Sequence, residues 1–389
     1  MVLDQTELDL EIQFVESIAD IGAQNWNRLS GSDNPFNRYE FLWALEKTGC
    51  TTENTGWKPY HISVVSTSST KILAIMPLYL KTNSYGEYVF DWSWANAYQE
   101  HGYSYYPKFV TSLPFTPSVG SRIFIDESLA LDTVIALINK TLKQKAEILG
   151  VSSWHILFPF EEQQEKFKAL GMHTRTACQF HWFNKGYNNF EEFLDKLSSR
   201  KRKNINKERL AVKSQQISFE IIEGADISES MWQKFYGFYQ STYAMRGMQG
   251  YLSEEFFSTL ADTMPESFFL VTANKENDCI AAALFFKSST TLYGRYWGSL
   301  EDYRFLHFET CFYQGQEYCI RHGLKSFDSG AQGEHKISRG FEPVKTFSNH
   351  WIANENFAAA IEKFIEDEKS HMENYMQQAR QMLPFKKEG

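Results

Sequence analysis

Apolar residues return at helical spacing over residues 39–47, 129–149, 190–197 and 254–260, and each stretch reads as an amphipathic helix with one face for a core. Asp33-Asn34-Pro35 supplies turn and capping chemistry ahead of the first of them. The remaining apolar runs are short and rich in β-branched and aromatic residues. Residues 61–65 and 73–80 form one pair, joined through a Ser/Thr-rich turn as in a hairpin, and residues 268–272 and 280–287 form another.

The order helix, strand and hairpin therefore occurs twice. In the first half IMPLYLK leads through a turn to Tyr85-Gly86-Glu87-Tyr88. In the second, AAALFFK leads to Tyr293-Gly294-Arg295-Tyr296. A glycine at the same place in two strands predicts a bulge or a close backbone approach at each. The turn formers Gly186-Tyr187-Asn188-Asn189 mark the division. The chain is thus read as an α/β (α+β) protein of two related mixed-sheet units, residues 1–186 and 187–389.

Composition agrees with two packed domains. A chain of 389 residues exceeds what one core usually holds, and 43% hydrophobic with 16% aromatic residues excludes large-scale disorder. The net charge of -9 excludes a protein that coats nucleic acid through its overall field, so any such contact is local. The first residues are acidic where a secretory signal is basic, and no run approaches the roughly 20 apolar residues of a membrane span. No transmembrane segment and a cytoplasmic location are expected. The 5 cysteines include no C-x-x-C pair, which argues against a disulfide framework or a structural zinc, and no other spacing suggests a metal. Cys311 and Cys319 are read as core packing.

Residues 306–343 read LHFETCFYQGQEYCIRHGLKSFDSGAQGEHKISRGFEP: Glu309 on a helix, a turn at His322-Gly323, Phe327-Asp328-Ser329-Gly330, and a basic loop closing on Gly340-Phe341. This resembles the C-terminal signature of FemAB-like proteins. The stretches DNPF (33–36), MPLYLKTNSYGEYVFDWSWANAY (76–98), YYPKFVTSLPFTP (105–117), QFHWFNKGY (179–187) and SSRKRKNINKER (198–209) extend the resemblance. They are similar to the bacterial N-acyltransferase group labelled peptidoglycan biosynthesis or recognition proteins. The resemblance implies a tandem GNAT-like fold and acyl transfer to an amino group of a peptide, amino acid or cell-wall precursor. The donor it implies is a thioester, acyl-CoA or acyl-carrier-protein, used as co-substrate with no permanently bound cofactor. Aminoacyl-tRNA is the alternative donor, as in Fem-type cell-wall enzymes, and a non-catalytic peptide or glycan recognition module is a third reading. The usual CoA-pyrophosphate run is not found after residues 293–297. Lys336 and Arg339 occupy the region where Fem-type enzymes carry a basic residue before the Gly-Phe.

Acylating an amine needs a base, donors for the carbonyl oxyanion and a proton for the leaving group. His335 is the first candidate base and Glu334 the next, followed by Glu309 and Asp328; for His335 the alternative is a hydrogen bond within its own loop. Gly330, Gln332 and Gly333 form a glycine-rich loop whose N–H groups can approach a ligand, or only a tight turn. Arg295, among Tyr293, Tyr296 and Trp297, suits a carboxylate or phosphate, or stacks on a ring. In the first half Glu87 takes its place, with Asp91 and Trp92 beyond, which suits an amine-bearing acceptor. Arg200, Lys201, Arg202 and Lys203, continued by Lys207 and Arg209, offer a grip for a CoA phosphate, an acyl carrier protein or tRNA, or a solvated helix face. His181 and His307, beside bulky aromatics, are read as packed core histidines. Nothing in the sequence sets the oligomeric state.

Overall fold

A computed structural model describes residues 10–331 and 333–386. The described residues pack as two units: those within 1–32, 36–177 and 346–370 form the first, and those within 33–35, 178–345 and 371–389 the second. The sequence division at 186/187 makes each unit one contiguous half. In the structure the boundary falls near 177, and residues 346–370 return to the first unit.

The first unit runs β1 (Leu10–Val15), α1 (Ala23–Ser30), α2 (Tyr39–Lys47), β2 (Trp57–Pro59), β3 (His61–Ser66), β4 (Ile72–Met76) and β5 (Tyr79–Lys81). It continues with α3 (Trp92–Glu100), β6 (Lys108–Thr111), β7 (Phe124–Ile125), α4 (Leu131–Leu149), β8 (Ser153–Leu157), α5 (Glu161–Ala169) and the start of β9 (His173–Phe183). β1, β3, β4 and β7 lie side by side in that order, and β3 and β4 are the expected hairpin. β8 pairs parallel with β6 and β6 antiparallel with β5. α4 forms as its periodicity predicts: Val134, Ile135, Ile138, Leu142 and Ala146 are its buried face, and Gly150 ends it in the left-handed conformation at φ +65°. That face packs on Ile62, Val64, Ala74, Met76, Trp154 and Ile156 to make the core.

The second unit continues through α6 (Phe190–Lys196), α7 (Ser199–Ser214), β10 (Ser218–Glu223), α8 (Glu229–Ala244), α9 (Glu254–Thr263), β11 (Phe268–Lys275), β12 (Asp278–Lys287) and β13 (Thr291–Ser299). A helical run follows: α10 (Leu306–Phe308), a π-helical stretch (Glu309–Tyr313) and α11 (Gln314–His322). Then come β14 (Ser326–Asp328), a 3-10 turn (Glu334–Arg339), β15 (Glu342–Ile352) and α12 (Glu355–Gln381). Strands β10, β11, β12 and β13 are an antiparallel meander; β14 joins β13 in parallel and β9 antiparallel. The last five residues of β15 (348–352) belong to the first unit, where they pair with β8. No helix among the described residues is long and apolar enough to cross a membrane.

The two Tyr-Gly-x-Tyr segments differ in structure. Residues 293–296 lie in β13, where the register passes from Leu284–Tyr296 to Phe285–Gly294 and so makes a bulge at Arg295, as expected. Residues 85–88 form a turn instead of a strand, with Gly86 at φ +77° and Tyr88 at +60°. The carbonyl of Tyr85 accepts from Trp57 Nε1 at 3.0 Å and Lys81 Nζ at 3.2 Å, bonds that hold the chain away from any ladder.

Gly298 is where β13 meets α8: a Cβ there would lie 1.7 Å from the carbonyl oxygen of Phe238. Alanine at 298 is expected to lower stability by roughly 1 to 3 kcal/mol through overpacking. An unchanged urea midpoint for Gly298→Ala would show that α8 does not need this approach.

Candidate active site in the second unit

The cavity arises from strand geometry. β13 and β14 pair only through Thr291–Ser326, Leu292–Phe327 and Tyr293–Asp328; β14 then ends, while β13 continues to Ser299. A cavity of about 370 Å³ occupies the opening. Residues 283–285 of β12 and 294–297 of β13 form one wall, and His307, Cys311 and Phe312 of the helical run another. Ser329, Gly333, His335 and Lys336 line it from the loop after β14, and Arg246 from the α8–α9 connection.

At the point where the strands part, Arg295 donates to both oxygens of Asp328, Nη2 to Oδ2 at 2.6 Å and Nη1 to Oδ1 at 3.1 Å, with both side chains almost wholly buried. Burial alone would raise the Asp328 pKa. Arg295, then His181 and the Gly330 N–H at 2.9 Å, overcome it and hold the carboxylate well below its usual range. Asp328 is therefore an anchor of Arg295 and not a proton acceptor, and its bond to Gly330 turns the chain sharply at φ +87°.

That turn delivers Lys336. Its Nζ donates to the carbonyls of Ser329 and Gly330 at 2.9 and 2.8 Å, which uses two of its three N–H groups. Burial pulls its pKa down, Asp328 opposes, Arg295 adds to the fall, and the result is about 8. His335 packs against His307, Phe308 and Phe312 with ring centroids 6.0, 5.5 and 5.5 Å away. Burial, then Arg339 and Lys336, lower its pKa from 6.5, so the ring is neutral at pH 7. Gly333, at φ +116°, makes room for it: a Cβ there would lie 2.5 Å from His335 Cε1. His307 is also neutral, pushed to about 4 by burial and then by His335.

Of the residues singled out from sequence, Arg295, Tyr296, Trp297, Gly333, His335 and Lys336 meet at the cavity. The other described ones lie off its lining. Arg339 is buried beneath, donating to Glu208 at 2.8 and 2.9 Å and to the His335 carbonyl at 2.7 Å; it positions the histidine. Glu309 is buried against Arg209 at 3.0 Å and Gln314 at 2.9 Å; burial raises its pKa and Arg209 opposes. Glu334 is exposed and bonds Tyr375. Tyr293 is buried beside Arg295, and Gly330 serves the turn. Gln332 lies outside the described residues.

Arg200, Lys201, Arg202 and Lys203 occupy the first turns of α7, where Arg202 pairs with Asp195 at 2.6 Å. In the first unit, Asp91 is fully buried, bonded to Lys108 and to Tyr105 Oη at 2.6 Å, and so is closed to an acceptor. Trp92 is exposed against Tyr85. Sequence reasoning missed Ser329 and Arg246 and read His307 and Cys311 as packing. Ser329 stood inside the quoted Asp-x-Gly signature; Arg246 carried no signal, because a distant connection brings it in.

An unfolded lysine keeps its proton to about pH 10.4, whereas Lys336 releases its own at about 8. The unfolded chain therefore holds more protons across that interval, and stability rises with pH through it. Relative to Lys336→Met, the wild type is expected to gain roughly 2 to 3 kcal/mol between pH 8 and pH 10.5 in urea unfolding. A pH-independent difference would mean that the amine is solvated.

No curated protein matches the chain in sequence. Among solved structures, FemX aligns with a TM-score of 0.53 at 13% identity, covering 90% of this chain and 100% of that one. The C-terminal domain of a putative lysylphosphatidylglycerol synthetase from Agrobacterium fabrum aligns at 0.52 and 10% identity, covering 90% and 97%. A tandem GNAT protein from the clavulanic acid biosynthesis pathway aligns at 0.50 and 10% identity, covering 89% and 99%. The fold is the tandem GNAT-like one. The family model described as peptidoglycan biosynthesis/recognition matches residues 17–387, and the chain belongs to the FemAB-like family.

Proposed function

We propose that the second unit is an N-acyltransferase. Its donor is an acyl thioester of CoA or a carrier protein, and its acceptor is the amino group of a peptide, amino acid or cell-wall precursor. The observation that carries this reading is a neutral histidine and a buried lysine facing one cavity where two parallel strands separate. The FemAB-like family and the tandem GNAT fold support the same reaction class.

In this reading the amine attacks the thioester carbonyl and His335 takes its proton. The oxyanion is met by the remaining N–H of Lys336 and by Ser329, whose buried Oγ has no hydrogen-bond partner among the described residues. As the C–S bond breaks, the proton passes to the departing thiolate and the amide is released. Among the described residues the cavity lining holds no carboxylate that would stabilise an ammonium, so the acceptor enters as the free amine. A second reading replaces the thioester by aminoacyl-tRNA. The cations in the first turns of α7, where a helix favours acidic side chains, support it.

The test is acyl transfer by the purified protein from a panel of CoA thioesters, acyl carrier proteins and charged tRNAs to a panel of amines. His335→Gln is expected to lower kcat by roughly 10²- to 10⁴-fold. The wild-type rate should rise through an apparent pKa below 6.5, as His335 loses its proton. It should fall through about 8, as Lys336 loses its own, and Lys336→Arg should move that alkaline limb upward. No transfer from any donor leaves the recognition-module reading in its place.

A further inference from the structure

Among the described residues, the charged side chains that line the cavity are Arg246, Arg295 and Lys336, with no aspartate or glutamate. Asp328 matches the charge of Arg295 at 2.6 Å. Lys336 reaches only backbone carbonyls, and Arg246, which is exposed, makes no ion pair among the described residues. The cavity therefore carries two cations whose counter-charge is not supplied by its own walls.

Arg246 is held at the rim by its loop. The N–H of Gly247 donates to Ala244 O at 2.9 Å and that of Met248 to Tyr243 O at 3.1 Å, closing a turn around the arginine, with Gly247 at φ +69°. At the far end Gly250 N donates to Gln240 Oε1 at 3.0 Å and lies so close to Tyr239 that a Cβ would come within 2.4 Å of the ring. The backbone around Arg246 is thus fixed at both ends while the guanidinium stays open to a partner. A planar, permanently charged fork in that position suits a carboxylate, which it can meet with two parallel hydrogen bonds.

We propose that the acceptor of this site is an amine that also bears a carboxylate, as in an amino acid or the free C-terminus of a peptide, and that Arg246 binds this carboxylate. The proposal rests on the acyl-transfer reading for the identity of the acceptor, and it adds how that acceptor is held. A cavity that disfavours the ammonium cannot grip the acceptor by its reacting end. The carboxylate supplies the grip and offsets one of the two cations.

The experiment is equilibrium binding by calorimetry in the absence of any acyl donor, with glycylglycine and glycylglycinamide, which differ only in the carboxylate, and inorganic phosphate as a third probe. The expected result is a preference of about tenfold or more for the acid over the amide. Arg246→Gln should abolish that preference and Arg246→Lys keep part of it, with unchanged circular dichroism and melting temperature. Equal binding of acid and amide overturns the proposal, as does a preference that survives Arg246→Gln. Phosphate binding that depends on Arg246, with no acid preference, also overturns it, by giving the arginine to a phosphate-bearing co-substrate. Because the readout needs no turnover, absence of acyl transfer would sink the catalytic reading and leave this result to stand by itself.

Discussion

Two parallel strands that stop pairing after three residues need something to fix the place where they part, and Arg295 with Asp328 does so. The arginine sits on a bulge of one strand and the aspartate is the last residue of the other. A bidentate contact between them sets the strand separation, and the same carboxylate bends the chain at Gly330 toward Lys336. Removing one partner would leave the other as an isolated buried charge, a loss of roughly 3 to 5 kcal/mol in comparable pairs. The pair also cancels its own field at the cavity wall. What remains for a substrate to feel is Lys336 and Arg246, together with the neutral rings of His335 and His307.

Pattern reading found the helices by the one face each buries and the strands as short apolar runs, and α2 and α4 come out almost as the apolar spacing draws them. It failed at residues 85–88. The string matches its counterpart at 293–296, but one of the bonds that decide its shape comes from Trp57, 28 residues away, beside the local one from Lys81. The same limit governed the site. His335, Lys336 and Gly333 were visible because one short loop holds them. Glu309 and Asp328 were weighed as bases because nothing local reveals that Arg209 and Arg295 already occupy them. Arg246 was invisible for the converse reason, since its role depends on a cavity formed by strands far along the chain.

The two units have put the same repeated segment to opposite uses. In the second it opens a cavity. In the first it lies over a closed polar network: Lys108 bonds Glu87 at 2.9 Å and Asp91, Asp91 bonds Tyr105, and Tyr105 approaches His155, which meets His350 at 2.6 Å. Burial raises Glu87 to about 7 and lowers Lys81 to about 7, and the mutual attraction of these groups with Lys108 and Asp91 offsets only part of the desolvation. A network of this kind specifies one arrangement, since any displaced member strands a charge.

The return of residues 346–370 to the first unit has a consequence in time. During synthesis β8 emerges long before the last residues of β15 that pair with it, and His155 waits as long for His350. The amino-terminal half leaves the ribosome with an unfilled strand position and half of a histidine pair, and residues 178–345 of the second unit are made before either is completed. Contacts so distant along the chain close slowly. The unit begun first is accordingly left open until residues 346–370 have been made.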